Sequence, residues 1–208
     1  MSQSLLLGTR NPGKVIEITS ILADSGWSFC SLEEFENVAT AEENGSTYAE
    51  NAIAKARFYA SATSLLSLAD DSGLEVEALG RAPGVFSARY AGDDATDADR
   101  RALLLSELAK IADSDRRARF VAVVAIANAE GEVLNVSEGI CEGTITFAPR
   151  GDGGFGYDPL FIPDGYNQTF AELSEDIKNR ISHRARALMK TKDFLRSFAN
   201  LTIPAIDS

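Results

Sequence analysis

Apolar positions along this chain alternate between short unbroken runs and helical spacing, and together they lay out an α/β order. Ser4 to Gly8 predicts a first buried strand. After Thr9-Arg-Asn-Pro-Gly-Lys14, residues Val15, Ile18 and Leu22 recur on one helical face. Trp27 to Leu32 predicts a second strand. Thr47-Tyr-Ala-Glu50 has the form of a capping box and opens an Ala-rich helix running to about Ala62. Leu65, Leu66 and Leu68 predict a short buried strand that ends at Asp70-Asp71-Ser72-Gly73. Thr96-Asp-Ala-Asp99 caps another helix, with Leu104, Leu105, Leu108 and Ile111 facing a core. Arg119 to Ala129 is a long β-rich run, and Asn128-Ala-Glu-Gly131 reads as a hairpin turn into Glu132 to Cys141. A further strand is expected near Thr144 to Phe147. Ser174 caps a short helix, and Ile181-Ser-His-Arg184 leads into a last one with Ala185, Leu188, Leu195 and Phe198 on one side. A hairpin block between helical segments predicts a mixed sheet.

No repeat or linker interrupts the 208 residues, so residues 1–208 are expected to form a single α/β domain, with room for two lobes. The apolar fraction of 45% is enough to bury a core. Cys30 and Cys141 lie far apart in apolar surroundings and predict buried free thiols in a reducing compartment. The N-terminus lacks the basic and apolar regions of a signal peptide, and no run reaches transmembrane length. The expectation is a cytoplasmic protein that engages no membrane. A net charge of −11 speaks against a nucleic-acid polymer as partner. Residues 178–192, however, hold six Lys/Arg and no Asp/Glu, a block suited to an anion or simply to a solvated helix face.

Five stretches carry candidate chemistry. A strand, a Gly/Pro turn and a helix around Thr9–Lys14 would aim backbone N–H groups at a phosphate, with Arg10 and Lys14 adding charge, although a plain βα turn has the same look. Asp70 and Asp71, neighbours at a strand end, should point to opposite sides. Either suits a Mg²⁺ ligand or a general base, and an Asx-turn closing the strand is the plainer alternative. Glu42 and Glu43 precede the Ala-rich helix, where a second metal carboxylate could sit, and Asn51 and Lys55 share one face of that helix. Gly151-Asp-Gly-Gly-Phe-Gly-Tyr-Asp-Pro159 predicts a loop of exposed aromatics on which a flat ring could stack. His183, the chain's one histidine, stands beside Arg184 in the cationic block.

Taken in order, Thr9-x-Asn11-x-x-Lys14, Asp70-Asp71-Ser72-Gly73-Leu74, Ala82-Pro83-Gly84, Gly154-Phe-Gly-Tyr-Asp-Pro159 and Lys178 with Ile181-Ser-His-Arg184 resemble the inosine/xanthosine triphosphate pyrophosphatase family, also called Ham1-like. The resemblance spans nearly the whole chain. It implies an elongated mixed-sheet domain of two lobes with a central substrate cleft, and a homodimer. It also implies Mg²⁺-dependent hydrolysis of ITP, dITP and XTP to the monophosphate and pyrophosphate, which cleanses the nucleotide pool. By resemblance, Thr9, Arg10, Asn11, Pro12, Gly13 and Lys14 hold the triphosphate. Asp71 is the proton acceptor and a metal ligand, joined by Glu42 or Glu43. Ser72, Phe155, Gly156, Tyr157, Asp158, Lys178, His183 and Arg184 contact the nucleotide, and Glu50 or Lys55 could support the metal carboxylates. Ala185 stands where many relatives have Gly. A donor at Arg184 or His183 would suit the 6-carbonyl of hypoxanthine or xanthine and leave adenine unpaired. The alternatives are a purine-nucleotide sensor without catalysis, or a pyrophosphatase for other modified nucleotides.

Overall fold

The computed structural model describes residues 4–111 and 115–202, with side chains described through residue 199. Strands β1 (Ser4–Leu7), β2 (Ser28–Ser31), β3 (Leu66–Val76), β4 (Arg117–Ala127), β5 (Val133–Ile145) and β6 (Phe161–Pro163) form one sheet in the order β2-β1-β3-β4-β5-β6. β1 pairs in parallel with β2 and β3, and β5 pairs antiparallel with β6, so the sheet is mixed, as the pattern predicts. The helices are α1 (Pro12–Leu22), α2 (Tyr48–Thr63), α3 (Asp97–Ala109), α4 (Glu175–Ile181) and α5 (His183–Thr202). Among the described residues, no helix is long and apolar enough to cross a membrane.

Two compact units share this chain. The first takes residues 4–71, 123–138 and 185–202; the second takes 72–111, 115–122 and 139–184.

In the first unit, Leu5 and Leu7 of β1 register with Leu66 and Leu68 of β3; Leu5, Leu7 and Leu68 are buried and Leu66 is half-buried. Thr47 and Glu50 form the expected capping box on α2, with Thr47 Oγ1 accepting from the Glu50 N–H and Glu50 Oε2 accepting from the Thr47 N–H. Ala52, Ala56 and Ala60 recur every fourth residue on α2 and are fully buried, so only the Ala-rich face comes this close to its neighbours. Gly8 shares in this closeness. A Cβ there would stand 2.9 Å from the Tyr59 ring and 3.1 Å from the Leu68 carbonyl oxygen. The C-terminal end of α1 is held by α5. Lys192 Nζ donates to the Ile21 carbonyl (2.9 Å) and pairs with Asp24, which Arg196 also holds at 2.9 Å. Trp27 Nε1 donates to the Leu195 carbonyl (3.2 Å) beside them.

The second unit is built on Leu74, Val76, Leu104, Leu108, Phe120, Cys141, Ile145, Leu160, Phe161 and Phe170. Thr96 and Asp99 cap α3 reciprocally, and the Ser174 hydroxyl accepts from the Ile177 N–H at the start of α4, as the sequence predicts.

Three expectations are corrected. The apolar strand does not end at Asp70: β3 runs on through Asp71, Ser72 and Gly73 to Val76, because its paired backbone continues and each buried carboxylate finds a lysine partner. The strand expected near Thr144 is not separate. β5 is continuous to Ile145, and its outer partner is β6. Both cysteines are free thiols, but Cys30 is only half-buried. The Asn128–Gly131 hairpin forms as expected, with the Asn128 N–H donating to the Glu132 carbonyl at 3.0 Å.

Candidate active site

In the first unit the chemistry gathers on the middle of β3. Successive strand residues project to opposite faces, and the two acids take different partners accordingly. Asp70 is fully buried and pairs with Lys14 Nζ at 3.0 Å. Lys14 stands in the first turn of α1. Asn11 caps that helix, its Oδ1 accepting from the Lys14 N–H (3.2 Å), while the Asn11 N–H donates to Thr9 Oγ1 (3.2 Å). Pro12 fills the first helical position, where its missing N–H costs nothing. Arg10 turns elsewhere, donating to the Val38 carbonyl at 2.7 Å, and Gly13 is half-buried.

Asp71 is 6% exposed and lies under α2. Its Oδ1 accepts from Lys55 Nζ (3.0 Å) and its Oδ2 from Asn51 Nδ2 (3.2 Å). Lys55 Nζ also reaches Glu43 Oε1 at 2.5 Å, so one ammonium joins two carboxylates. Asn51 cannot turn over, because its Oδ1 accepts from the Gly45 N–H at 2.8 Å. Of the two loop acids, Glu43 therefore meets Asp71. Glu42 is exposed and accepts from Asn44 at 2.8 Å. Glu50 is taken up by the start of its own helix, accepting from Ser46 and Thr47.

Two lysines here face three carboxylates, and the titration directions follow. Burial pushes the Asp71 carboxyl above the ordinary carboxylate range, and the nearby Glu43 charge adds to it, outweighing Lys55 and Lys14. Burial works against the Lys55 ammonium, but Asp71, Asp70 and Glu43 together hold it above the usual lysine range. A carboxylate raised toward neutrality, beside fixed donors, has the character of a general base.

The same donors bear on a metal. Among the described residues no group of three metal-binding side chains converges. Mg²⁺ does not require one, since it commonly takes one or two carboxylates and completes its shell with water and substrate phosphate. Asp71 and Glu43 are two hard oxygen donors already focused on one cation, so the residues fit Mg²⁺.

In the second unit a different set forms. Arg184, 2% exposed, donates through NH2 to Ser72 Oγ at 2.8 Å. Lys178 Nζ pairs with buried Asp158 at 2.5 Å. Phe155 is half-buried, with Lys178 Nζ 4.9 Å and the Arg184 guanidinium carbon 5.5 Å from its ring centre. His183 is buried and stacks on Phe120, with ring centres 4.6 Å apart and planes 10° from parallel. The structure thus brings Phe155, Asp158, Lys178, Ser72 and Arg184 into one connected cluster.

Asp158 also shapes the loop that carries Phe155. Its Oδ2 accepts from the Phe155 N–H at 2.9 Å. Gly154 must be glycine there: its φ is +69°, and a Cβ would run into that same carboxylate oxygen. The loop's expected pair of exposed aromatics is corrected at Tyr157, which is 4% exposed in the core and donates its hydroxyl to the Ser87 carbonyl at 3.0 Å. Both backbone groups of Gly156 are held by α3. Sequence reasoning missed those α3 partners, Asp97 and Arg101, because four-apart opposite charges on a helix are usually surface pairs. It also undervalued Asn51, whose double hydrogen bond no spacing reveals.

The Ham1 family profile matches residues 5–194 of this chain. A dITP/XTP pyrophosphatase of Desulforamulus reducens is 49% identical over 191 residues, which are 92% of this chain and 94% of that protein. One of the same description from Thermus thermophilus is 49% identical over 184 residues, 88% of this chain and 87% of the other. Among solved structures, a HAM1 protein from Coxiella burnetii superposes with a TM-score of 0.85 at 45% identity, covering 94% of this chain and 99% of that one.

Proposed function

This chain belongs to the Ham1 family, and from that premise we propose that it hydrolyses non-standard purine nucleoside triphosphates (ITP, dITP and XTP) to the monophosphate and pyrophosphate. The observation that carries the chemistry is the buried Asp71 carboxyl held between Asn51 and Lys55, with Glu43 on the same ammonium.

In this reading Asp71 takes a proton from a water that attacks the α-phosphorus in line. A bond forms between that oxygen and the α-phosphorus, the bond to the oxygen bridging to the β-phosphorus breaks, and pyrophosphate leaves. Asn51 and Lys55 fix the carboxylate's two oxygens, so the acceptor's position is set before substrate arrives. Lys14 and the N-terminal N–H groups of α1 meet the phosphates, and Asn11 keeps that turn in shape. Asp71 and Glu43 would hold Mg²⁺, with Glu42 outside that pair. The bound ion supplies neutralisation of the triphosphate charge.

Phe155 offers a ring for the purine, while Arg184, Lys178 and His183 provide donors for a 6-carbonyl; adenine, with an amino group there, would leave them unpaired. Lys178 and Arg184 have partners in Asp158 and Ser72, which orient them for this task. A cytoplasmic homodimer acting on free nucleotides rather than polymers belongs to the same proposal, supported by the free thiols, the acidic charge and the family resemblance.

The test is a substrate panel with MgCl₂: ITP, dITP, XTP, GTP, ATP and dUTP, assayed separately for pyrophosphate and orthophosphate. Pyrophosphate from the first three, with little from ATP and dUTP, is the expected result. Binding of ITP without any product would identify a sensor, and orthophosphate as first product would place the cleavage at another bond.

A further inference from the structure

The loop from Gly151 to Tyr157 has no strand or helix to stiffen it, so Phe155 has to be held by contacts from outside the loop. Asp158 accounts for the side of the loop that precedes and includes Phe155, through the Phe155 N–H. The residue after Phe155 is held differently. The Gly156 N–H donates to Asp97 Oδ2 at 2.7 Å, and the Gly156 carbonyl accepts from Arg101 NH1 at 2.7 Å. Asp97 and Arg101 lie four residues apart on α3 and so share one face. Between them they hold both polar groups of a single glycine whose φ is +60°.

The clamp is itself braced. Asp97 Oδ1 accepts from Arg100 NH2 at 2.5 Å, and Arg100 NH1 donates to the carbonyls of Ala88 (2.8 Å) and Ala95 (2.6 Å). Partial burial opposes the charge on Asp97, yet Arg100, the Gly156 N–H and Arg101 together hold its carboxyl below the usual range, so it stays an acceptor at neutral pH. Hydrogen bonds between a charged side chain and a backbone group are stronger than neutral ones, and here one carboxylate and one guanidinium each hold one of the two peptide units that flank the Gly156 Cα. Residue 156 is also in no position to offer its N–H to a ligand, because Asp97 has it.

We propose that Asp97 and Arg101 are positioning residues for purine recognition, holding the Gly156 backbone so that Phe155 is pre-set for stacking on the base. The inference rests on the nucleotide reading above, and specifically on Phe155 as the stacking ring. It places a determinant of base affinity on α3, a helix that contributes no residue to the phosphate chemistry. Base–aromatic stacking depends on ring orientation, and a loop that must be ordered on binding loses part of what stacking returns.

The experiment measures KM and kcat for ITP in Asp97→Ala, Asp97→Asn, Arg101→Ala, Phe155→Ala and the Asp97→Ala/Phe155→Ala double variant, each checked for folding by circular dichroism. Asp97→Ala and Arg101→Ala should raise KM at least about fivefold, the low end of a lost base stack, with kcat within about twofold. Asp97→Asn retains an oxygen that can accept from the Gly156 N–H and should restore most of the affinity. The double variant should be no worse than Phe155→Ala alone, since the clamp acts only through that ring. If Phe155→Ala raises KM but Asp97→Ala and Arg101→Ala do not, the clamp is overturned and the stacking reading stands. If Phe155→Ala leaves KM unchanged, the stacking reading itself fails and takes the clamp with it. Should Asp97→Ala not fold, Arg101→Ala decides alone, because Arg101 makes no contact with Arg100 in the bracing network described.

Discussion

Replacing Lys55 by methionine gives the most direct measure of how the carboxylate pair is held. Methionine keeps the apolar stem in its buried place and removes only the ammonium. Lys55 Nζ lies 3.0 Å from Asp71 Oδ1 and 2.5 Å from Glu43 Oε1, so these two oxygens are no more than about 5.5 Å apart. At that separation and an effective dielectric constant of about 20, two unit negative charges repel by about 3 kcal/mol. Methionine also spares the protein the cost of burying an ammonium, which burial disfavours. The expected loss of unfolding free energy at neutral pH is therefore between about 1 and 3 kcal/mol. It should shrink on acidification. A carboxyl whose pKa is raised in the folded state binds its proton more tightly there than in the unfolded chain, so stability falls as pH rises through that window. The assay is urea unfolding across pH, with and without MgCl₂. Millimolar Mg²⁺ should recover more stability in Lys55→Met than in the parent, because a divalent ion takes over the ammonium's place between the carboxylates. A variant as stable as the parent at neutral pH, or one indifferent to Mg²⁺, would refute the shared-cation picture.

Asp71→Asn should lower kcat by about 10²–10⁴-fold, the range of a lost general base, in a protein that circular dichroism shows to be folded. The acid limb of kcat/KM against pH should lie above the ordinary carboxylate range, and Asn51→Ala, which strips a donor from the ionised Asp71, should move it higher still. Gly154→Ala should destabilise the protein by more than about 1 kcal/mol and raise KM for ITP, since the new methyl both strains a left-handed backbone and displaces the carboxylate that holds Lys178 and Phe155.

The element order could be read from periodicity because the signals were local. Thr47 and Glu50, Thr96 and Asp99, and the Asn128–Gly131 turn each decide their geometry within a few residues. The strand through Asp70 and Asp71 could not be read that way. Two adjacent acids and a glycine look like a stop, and only Lys14, Lys55 and Asn51, from two helices, let a strand carry them through a buried region. The choice between Glu42 and Glu43 was open for the same reason: nothing in two consecutive glutamates tells which one meets a lysine 12 positions later. Tyr157 was misjudged because a glycine-rich setting suggested exposure, whereas its ring has a core to enter and its hydroxyl an acceptor at Ser87.

The seam between α5 and the end of α1 bears on the order in which the protein can be made. Lys192, Leu195 and Arg196 meet Ile21, Trp27 and Asp24 across 171, 168 and 172 positions of sequence. Every residue assigned here to phosphate, metal or base is synthesised by Arg184, ahead of the segment that closes this seam. A growing chain thus carries a full set of reactive side chains while the helix bearing Lys14 is still unfastened at its far end. Contacts of such long range form late and slowly. A variant in the α5 seam should therefore reduce the yield of working enzyme in the cell without altering the kinetics of the molecules that do fold.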